Sequence, residues 1–470
     1  MSTDSSASSK QLVWFRKDLR VADHAPLSAA CSKGPVRALY IATPGQWQTH
    51  GVGANQASFI QQAVTSLGQQ LAELGIPLEV IHCHQFSDIE HRLTQYCNDH
   101  QIRQIHAHSE AEIDERRRDQ HLQNQGLPLT LYGGHCILEP GTVRTQQQQV
   151  YRVFTPFKRR WLDFVDAQQL IPLPNPKPQG PALVAEAGNW CIDYPQGALP
   201  GWQASERKAH QLLQHFIHNK AESYHQDRDR PDLNATSGLS PYLALGVISP
   251  KQCLHQLLQR YPNALEPAKN GPFTWVNELI WREFYRHLLV LFPKLSMHHN
   301  FNELGDRIQW RDDQSAFEAW CQGKTGYPLV DAAMRQLTET GWMHNRLRMV
   351  TASFLTKNLL IDWRLGERFF QQHLVDWDLA ANNGGWQWSA STGCDAQPYF
   401  RIFNPVTQSK NFDPLGRFIR RFIPELNHLD DKMIHNPSDE CRPADYPAPI
   451  VDLKESRARA LDVFSVLKKG

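Results

Sequence analysis

The stretch "LIPLPNPKPQGPALVAEAGNW", residues 170–190, divides this chain into two halves of different character. Its prolines remove backbone donors and favour extended backbone, so helices and central strands are not expected to continue through it. Apolar periodicity also fades over the wider range 137–204. We therefore predict that residues 137–204 are a long connection between two domains and not a third domain.

The residues before this connection alternate between strand and helix patterns. Residues 55–74 carry apolar side chains at helical spacing and stop before Gly75 and Pro77. Alternating strands and helices favour a parallel sheet with helices on both faces, so we predict a Rossmann-like α/β domain over residues 11–136. The predicted strands are the β-branched runs at residues 11–15, 36–42, 78–82, 103–108 and 129–132.

The residues after the connection show helix patterns and almost no strand patterns. Ser249 followed by Pro250 is typical of a helix start, with the serine as N-cap and the proline at the first helical position. We predict an all-α domain over residues 205–470. The first ten residues, "MSTDSSASSK", are polar and serine-rich, and we expect them to be a disordered tail.

The composition excludes several classes of protein. Of the 470 residues, 41% are hydrophobic and 21% charged, as in a globular protein, and no apolar run approaches the ~20 residues that span a bilayer. Nine cysteines without any CxxC pair fit reduced thiols, so we expect a cytoplasmic protein without zinc or disulfides. The net charge of +1 leaves room for a local basic groove that binds phosphates.

Common nucleotide and hydrolase motifs are missing. "GVGANQ" at Gly51 lacks the third glycine of GxGxxG, and there is no Walker, HExxH or GxSxG motif. "TSGLSPYL", residues 236–243, offers three hydroxyl groups before a helical run. Such a turn can bind phosphate oxygens or can serve as an ordinary helix cap, and the residues alone leave both interpretations open.

Two predicted helices combine arginines with polar and aromatic side chains. In residues 275–292, Glu278, Trp281 and Arg282 share one stripe, which indicates either a surface ion pair at i,i+4 or an aromatic surface on which a ligand stacks. In residues 340–355, Asn345 and Arg348 share a face, while Arg346 points about a quarter turn away, where it can meet a phosphate backbone. We assign no role to His344.

The stretch "DWDLAANNGGWQWSASTG", residues 376–393, is rich in polar and aromatic groups. Asp376, Asp378 and Asn382 lie on one side of a helical turn. Neither carboxylate has a His or Cys ligand set beside it, so ion pairing with the arginines of the other helices is the favoured local interpretation, and we expect no metal. Gly384 and Gly385 permit a bend or the close approach of another surface.

Together these motifs, with "GKTGYPLVDAAMRQL" and "FRIFNP", resemble the DNA photolyase and cryptochrome family from about residue 11 to the C-terminus. The resemblance is greatest to the bacterial class I cyclobutane pyrimidine dimer photolyases. It implies an α/β antenna domain joined to a helical FAD-binding domain. It also implies a monomeric flavoprotein lyase of DNA repair, in which excited FADH⁻ donates an electron to a dimer flipped out of UV-damaged DNA and recovers it after the ring splits.

The resemblance implies roles for individual residues around FAD. Arg348 is expected to pair with Asp376 beside the isoalloxazine, and Asn382 to lie at its N5, which would favour the anionic reduced flavin. Gly238 stands where many relatives have arginine. The implied FAD-binding residues are Tyr224, Thr236, Ser237, Gly238, Leu239, Ser240, Trp275, Glu278, Arg282, Trp342, Asn345, Arg348, Asp376, Asp378 and Asn382.

The resemblance also implies a lesion pocket and an electron relay. Trp281 and Trp388 correspond to its aromatic walls, and Glu278 and Asn345 to the polar contacts with the base edges. Trp310, Trp363 and Trp386 correspond to a relay from the surface to the flavin, with Trp386 nearest FAD, whereas Trp377 is predicted as packing. The remaining residues implied at the DNA are Arg228, Arg346, Met349 and Gln408, with Lys410, Arg417, Arg420 and Arg421 as further candidates.

An antenna chromophore is expected between the domains. His50, Asp114 and Glu115 match positions that hold 5,10-methenyltetrahydrofolate in folate-using members, although Met297 stands where those members commonly have lysine. Folate is our prediction, with a deazaflavin or an empty site as alternatives.

The residues of this chain favour dimer repair over three other activities within the family. A (6-4) photolyase would show histidines at Asn345 and Met349 and often glutamine at Glu278, and a signalling cryptochrome tends to change Asn382 and to extend beyond the flavin domain. A DASH-type single-strand photolyase is the third, and the dimer-site residues fit class I better.

Overall fold

The computed structural model describes residues 10–165, 170–185 and 190–468. Nearly all of the predicted N-terminal tail, residues 1–9, and two short parts of the predicted connection, residues 166–169 and 186–189, lie outside the described residues.

The N-terminal domain is built on a five-stranded parallel sheet with the strand order β3-β2-β1-β4-β5. All five predicted strands are present within one residue of their predicted bounds. Successive residues of β1 face opposite sides, so Val13 and Phe15 join the core on one face while Leu12 and Trp14 join the core on the other. The strands are β1 (Lys10–Phe15), β2 (Val36–Ala42), β3 (Leu78–His82), β4 (Ile102–His108) and β5 (Leu129–Tyr132).

Helices pack on both faces of this sheet, as the alternating pattern predicted. The helix predicted over residues 55–74 is α3, which buries Phe59, Leu67 and Leu71 on one face. The helices of this domain are α1 (Ala25–Cys31), α2 (Pro44–Thr49), α3 (Ala54–Glu73), α4 (Ile89–His100) and α5 (Ile113–Asn124).

The connection contains a helix that the proline-rich composition did not predict. Helix α6 (Phe154–Phe164) buries Phe154, Phe157 and Trp161, which lie along one face. The first two of these side chains contact Phe284. The apolar spacing in residues 154–161 was a usable helix signal, which the loss of periodicity elsewhere in the connection obscured.

The C-terminal domain is helical, and its described part contains no strand. The predicted helix start at Ser249 is confirmed, since its Oγ accepts from Gln252 N at 2.9 Å and Pro250 is the first helical residue. The helices are α7 (Glu206–Asn219), α8 (Tyr224–Asp227), α9 (Ser240–Ala244), α10 (Pro250–Arg260), α11 (Gly271–Leu291), α12 (Gln314–Cys321), α13 (Pro328–Thr340), α14 (Asn345–Ser353), α15 (Trp363–His373), α16 (Leu379–Ser389), α17 (Pro405–Phe412), α18 (Arg417–Phe422) and α19 (Leu453–Val463).

Short 3-10 turns and one π-helical turn complete the described backbone. They lie between or after the α-helices, and the π-helical turn follows α14 directly. The 3-10 turns are Phe86–Asp88, Pro293–Met297, Glu303–Arg307, Pro424–Leu426, Met433–His435 and Phe464–Leu467, and the π-helical turn is Phe354–Asn358. None of the helices in the described ranges is both long enough and apolar enough to cross a membrane.

Hydrogen bonds join the two domains just after the carboxyl end of β1. The Glu206 carboxylate accepts hydrogen bonds from Val21 N at 3.0 Å and Ala22 N at 3.2 Å. The Arg20 guanidinium donates to Gly246 O at 2.9 Å. Because ligands of open parallel sheets bind at the carboxyl ends of the strands, this interface places the helical domain beside the expected ligand edge.

Candidate functional site

A cavity in the helical domain collects predicted site residues that are far apart in the sequence. Helix α14, the segment before α16, and α16 itself form its walls. The predicted residues that line it are Asn345, Arg348, Met349, Asp376, Asp378, Asn382 and Trp386. We call this space the central cavity.

An ion pair that the resemblance implied lies on the wall of the central cavity. Nη2 of Arg348 is 2.8 Å and 3.0 Å from the two carboxylate oxygens of Asp376, and its Nε donates to Met343 O at 2.8 Å. Asp376 is buried. The guanidinium is thus held in a fixed orientation by three hydrogen bonds, which makes it a preorganised positive charge at the cavity.

Asp378 has a partner that the sequence did not indicate. Its Oδ1 caps α16 by accepting from Ala381 N at 3.0 Å, and its Oδ2 pairs with Arg286 of α11. Burial alone would raise the pKa of Asp378, but the guanidinium groups of Arg286 and Arg282 lower it below its ordinary value. Asp378 is therefore an ionised group that joins α11 to the start of α16.

Asn382 is oriented by a residue that sequence reasoning missed. Its Nδ2 donates to the backbone O of Glu367 at 3.1 Å, which leaves its Oδ1 for a ligand in the cavity. The Glu367 carboxylate is buried and accepts from Asn383 Nδ2 at 2.9 Å and from His298 at 2.9 Å. No sequence signal marked Glu367, because its role depends on α15 lying beside α16.

Trp377, predicted as a packing residue, lines two cavities. It borders the central cavity and a second cavity between the domains. Its indole Nε1 is buried and has no hydrogen-bond partner among the described residues. The position of Trp377 between Asp376 and Asp378 was the only sequence signal of this placement.

The hydroxyl-rich turn before α9 does not line the central cavity. Trp342 Nε1 donates to Ser240 Oγ at 3.3 Å, which connects the turn to the segment before α14. Leu239 N donates to Ser237 Oγ at 3.4 Å, and the Thr236 carbonyl accepts from Lys220. Gly238 has a φ of +66°, a left-handed conformation that favours glycine at this position.

Glu278 and Arg282 do not form the i,i+4 ion pair that their spacing allowed. Glu278 pairs with Arg228 of the segment after α8. Arg282 donates instead to His135 O at 2.7 Å and to Leu243 O at 3.1 Å. Burial raises the pKa of Glu278 above its ordinary value although Arg228 lowers it. The pairing partner differs because α8 packs directly against α11.

Two predicted FAD-binding aromatics share one neighbour. Tyr224 and Trp275 both pack on Phe216 of α7, with ring-centroid distances of 5.5 Å and 4.9 Å. Both are buried. The guanidinium carbon of Arg228 lies 5.6 Å from the centroid of the Tyr224 ring.

The two predicted lesion-wall tryptophans are both half-buried. The ring of Trp281 is stacked on Phe154 at 3.6 Å between centroids with an interplanar angle of 7°. Trp388 lies at the end of α16, with Phe403 at 6.5 Å. Gly384 allows α16 to approach α11, since a Cβ there would lie 2.2 Å from the ring of Tyr285.

The predicted DNA-contacting arginines are paired with acids. Arg346 Nη2 is 2.8 Å from Asp229 Oδ2, and its guanidinium lies 4.5 Å from the centroid of Phe412. Gln408 is half-buried on α17, near the exposed Lys410. Around α18, Arg417 and Arg421 are exposed, whereas Arg420 pairs with Asp431 at 2.9 Å.

Of the three predicted relay tryptophans, two are buried and one is half-buried. Trp386 lines the central cavity, Trp363 is fully buried, and Trp310 is half-buried. The ring of Trp386 packs on Gly366, where a Cβ would lie 2.1 Å away. Trp320 also contacts Trp386, at 6.1 Å between centroids, and was not selected from the sequence.

The predicted antenna residues line the second cavity, which lies between the domains and which we call the interdomain cavity. His50, Asp114 and Glu115 line it, and His50 Nε2 is 3.7 Å from Asp114 Oδ2. Burial, reinforced by the charge of Glu112, raises the pKa of Glu115 to about 7. Ser296 lines the cavity with a buried Oγ that lacks a partner in the described chain, whereas Met297 is exposed and does not line it.

One buried cluster in the described residues has the chemistry of metal ligands. Asp18 Oδ2 accepts from His24 Nε2 at 2.8 Å and from His108 Nδ1 at 2.7 Å. Leu27 N donates to His24 Nδ1 at 3.0 Å, so the ring proton of the neutral His24 must lie on Nε2. A protonated nitrogen is not a ligand, so His24 Nε2 acts here as a hydrogen-bond donor to Asp18.

Comparisons with known proteins agree over nearly the whole chain. Residues 11–179 match the family model described as "DNA photolyase", and residues 275–466 match "FAD binding domain of DNA photolyase". A deoxyribodipyrimidine photo-lyase of Vibrio cholerae is 45% identical, with 97% of this chain and 100% of that protein covered.

Two solved structures have the same fold. A bacterial class III photolyase from Agrobacterium tumefaciens superposes with a TM-score of 0.86 at 36% identity, covering 100% of both chains. A cryptochrome of Synechocystis superposes with a TM-score of 0.84 at 29% identity, covering 97% of this chain and 99% of that one.

Proposed function

This chain belongs to the DNA photolyase family, and from that premise we infer that it is a deoxyribodipyrimidine photo-lyase, which repairs cyclobutane pyrimidine dimers in DNA with light. Its helical domain binds FAD. Its substrate is DNA that contains pyrimidine dimers. A cryptochrome-type photoreceptor is the weaker alternative, since identity is 45% to the photo-lyase of Vibrio cholerae and 29% to the Synechocystis cryptochrome.

The groups around the central cavity fit a flavin. A fixed guanidinium and an amide oxygen that has no partner among the described residues border one space, and they complement an anionic, hydrogen-bonding planar ring. Reduced FAD, once bound and excited by blue light, supplies the electron that splits the dimer. The remaining implied FAD ligands, on the turn before α9 and on α11, are proposed to hold the phosphate and adenine side.

We propose that Asn382 selects the reduced cofactor. Because the carbonyl of Glu367 can only accept, it fixes the Asn382 amide with Nδ2 toward α15 and Oδ1 toward the cavity. A carbonyl oxygen in that position accepts from a protonated ring nitrogen and disfavours an unprotonated one. Arg348 then balances the negative charge of the reduced ring.

The lesion is proposed to bind between Trp281 and Trp388, with Glu278 and Asn345 at its base edges. Stacking on the tryptophans would compensate for the loss of base stacking in the duplex. The raised pKa of Glu278 supports a carboxyl group that carries a proton when a base replaces Arg228, and that proton can be donated to a base carbonyl. Arg228, Arg346 and Gln408 are proposed to bind the strand around the lesion, with Met349 beside it.

We also propose that Trp386, Trp363 and Trp310 relay electrons inward, and that folate binds in the interdomain cavity. Increasing exposure from Trp363 to Trp310 supports the direction of the relay. His50, Asp114, Glu115 and the unpartnered Ser296 Oγ support a polar, hydrogen-bonding antenna ligand. The absorption spectrum of the purified protein distinguishes folate from a deazaflavin, and a flavin spectrum alone contradicts both.

The enzymatic activity is tested with an oligonucleotide that contains one thymine dimer. The photoreduced protein is expected to restore undamaged thymines under blue light and to leave the dimer intact in the dark. Flavin photoreduction without repair would indicate the photoreceptor instead.

A further inference from the structure

The rear face of Trp281 is covered by the protein itself. Phe154 lies parallel to it at 3.6 Å between centroids, and Phe284 contacts both rings edge-on at 5.8 Å and 5.7 Å. Phe154 is 6% exposed. A base therefore cannot stack on the face that Phe154 covers, and the position of the Trp281 ring plane depends on where Phe154 is held.

Phe154 is hydrogen-bonded to a residue in the loop after Trp388, the other proposed lesion wall. It is the first residue of α6, and the N-cap residue of this helix makes no side-chain cap. Asp395 supplies the cap, because its Oδ2 accepts from Phe154 N at 3.0 Å. A carboxylate at the N-terminus of an 11-residue helix is also favoured by the helix dipole.

A second hydrogen bond joins the same two segments. Cys394 Sγ donates to Arg152 O at 2.9 Å, and burial raises the pKa of this thiol to about 12, so it remains a donor. Asp395 and Cys394 follow Trp388 in one loop. The loop after Trp388 is therefore hydrogen-bonded to the segment that carries Phe154, and Phe154 stacks on Trp281.

We propose that Asp395 and Phe154 are positioning residues, which set the spacing between Trp281 and Trp388 and thereby the preference for dimer-containing over undamaged DNA. The inference rests on the lesion-binding role proposed for the two tryptophans. Neither residue touches the base directly. Asp395 fixes the backbone position of Phe154, and Phe154 fixes the orientation of the Trp281 ring on which it stacks.

The test measures dissociation constants in the dark for a duplex with one thymine dimer and for the same duplex without it. Asp395→Ala is expected to weaken dimer binding about fivefold, the equivalent of one lost cap. Phe154→Leu keeps this backbone cap but removes the ring that stacks on Trp281, and it is expected to weaken dimer binding by a similar factor. Both variants should leave binding of undamaged DNA unchanged. Asp395→Asn should retain the preference, since its amide oxygen can still accept from Phe154 N. Flavin content and photoreduction should match the wild type.

Asp452→Ala is the matched control, because it removes the N-cap of α19, another 11-residue helix, away from both walls. It should lower the thermal unfolding midpoint without changing the ratio of the two dissociation constants. If folded Asp395→Ala and Phe154→Leu keep the wild-type ratio of the two dissociation constants, the proposal is wrong. It is also wrong if Asp452→Ala changes this ratio as much as they do. If Trp281→Ala also keeps the ratio, the proposed lesion wall itself is wrong.

Discussion

At the scale of single residues, two tryptophans on α16 show how a short separation in sequence gives different surroundings. Trp386 is 2% exposed and packs on Phe370 at 5.0 Å between centroids, whereas Trp388, two positions later, is half-buried. Residues two apart on a helix point to nearly opposite sides. Substitutions of these two tryptophans should therefore have separable effects.

The first prediction concerns electron supply. Trp386→Phe should reduce photoreduction of the oxidised flavin at least tenfold, because phenylalanine is much harder to oxidise, while chemically reduced enzyme still repairs dimers. Absorbance changes during illumination measure the first effect, and repair of a dimer oligonucleotide measures the second. Trp202→Phe, at a tryptophan that does not line the central cavity, is the control. Equal loss of both activities in Trp386→Phe would contradict the proposed relay.

The second prediction concerns pH. The pKa of Glu115, about 7 in the folded protein, is above its ordinary value of 4.5. A raised folded-state pKa means that the stabilising contribution is complete below 4.5 and is lost as the pH rises through 7. The apoprotein should therefore lose roughly 2–3 kcal/mol of stability between pH 5 and pH 8 from this group.

Glu115→Gln tests this, since the amide resembles the protonated acid at every pH. The variant should lose less of its thermal midpoint than the wild type between pH 5 and pH 8. Glu73→Gln, at an exposed position of α3, should follow the wild type. If the thermal midpoint of Glu115→Gln changes with pH as much as that of the wild type, Glu115 is not the cause of the pH dependence.

At the scale of helices, the approach of α16 to α11 depends on one glycine and not on its neighbour. A Cβ at Gly384 would lie 2.2 Å from the ring of Tyr285, whereas a Cβ at Gly385 would have no atom within 4 Å. The adjacent glycines of "NNGG" thus have different purposes. One allows the two helices to touch, and the other borders the open space of the central cavity.

Gly384→Ala should therefore destabilise the apoprotein by about 1–3 kcal/mol through overpacking. Gly385→Ala is the matched variant and should change stability by less than about 1 kcal/mol, in the stabilising direction, because alanine favours helix. Thermal unfolding of the flavin-free proteins measures both. Equal destabilisation by the two substitutions would show that helix contact at Gly384 is not the cause.

At the scale of the whole molecule, the small net charge of +1 conceals an uneven distribution of basic groups. Arg346 and Arg228 are neutralised by Asp229 and Glu278, while Arg417 and Arg421 are exposed without an acid partner among the described residues. Long-range attraction to DNA phosphates is then expected to depend on Arg417 and Arg421. Selectivity for the lesion is expected to depend on other groups, at the proposed lesion walls.

The double substitution Arg417→Ala with Arg421→Ala should weaken binding of dimer and undamaged DNA by the same factor. It should also reduce the log–log salt slope by up to ~2, since each lost phosphate contact removes about 0.9. Lys33→Ala with Arg207→Ala removes the same charge from other surfaces and is the control. A loss confined to dimer DNA would place Arg417 and Arg421 at the lesion and contradict this division.

The sequence by itself determined the class of each half and the bounds of the strands, because local periodicity and turn residues report which side chains are buried. Its motifs also pointed to the pair Arg348 and Asp376. Only the tertiary structure decided that Glu278 pairs with Arg228, that Glu367 orients Asn382, and that Trp377 borders both cavities. These contacts join helices that are distant along the chain, and no local pattern specifies which side chains meet when such helices pack.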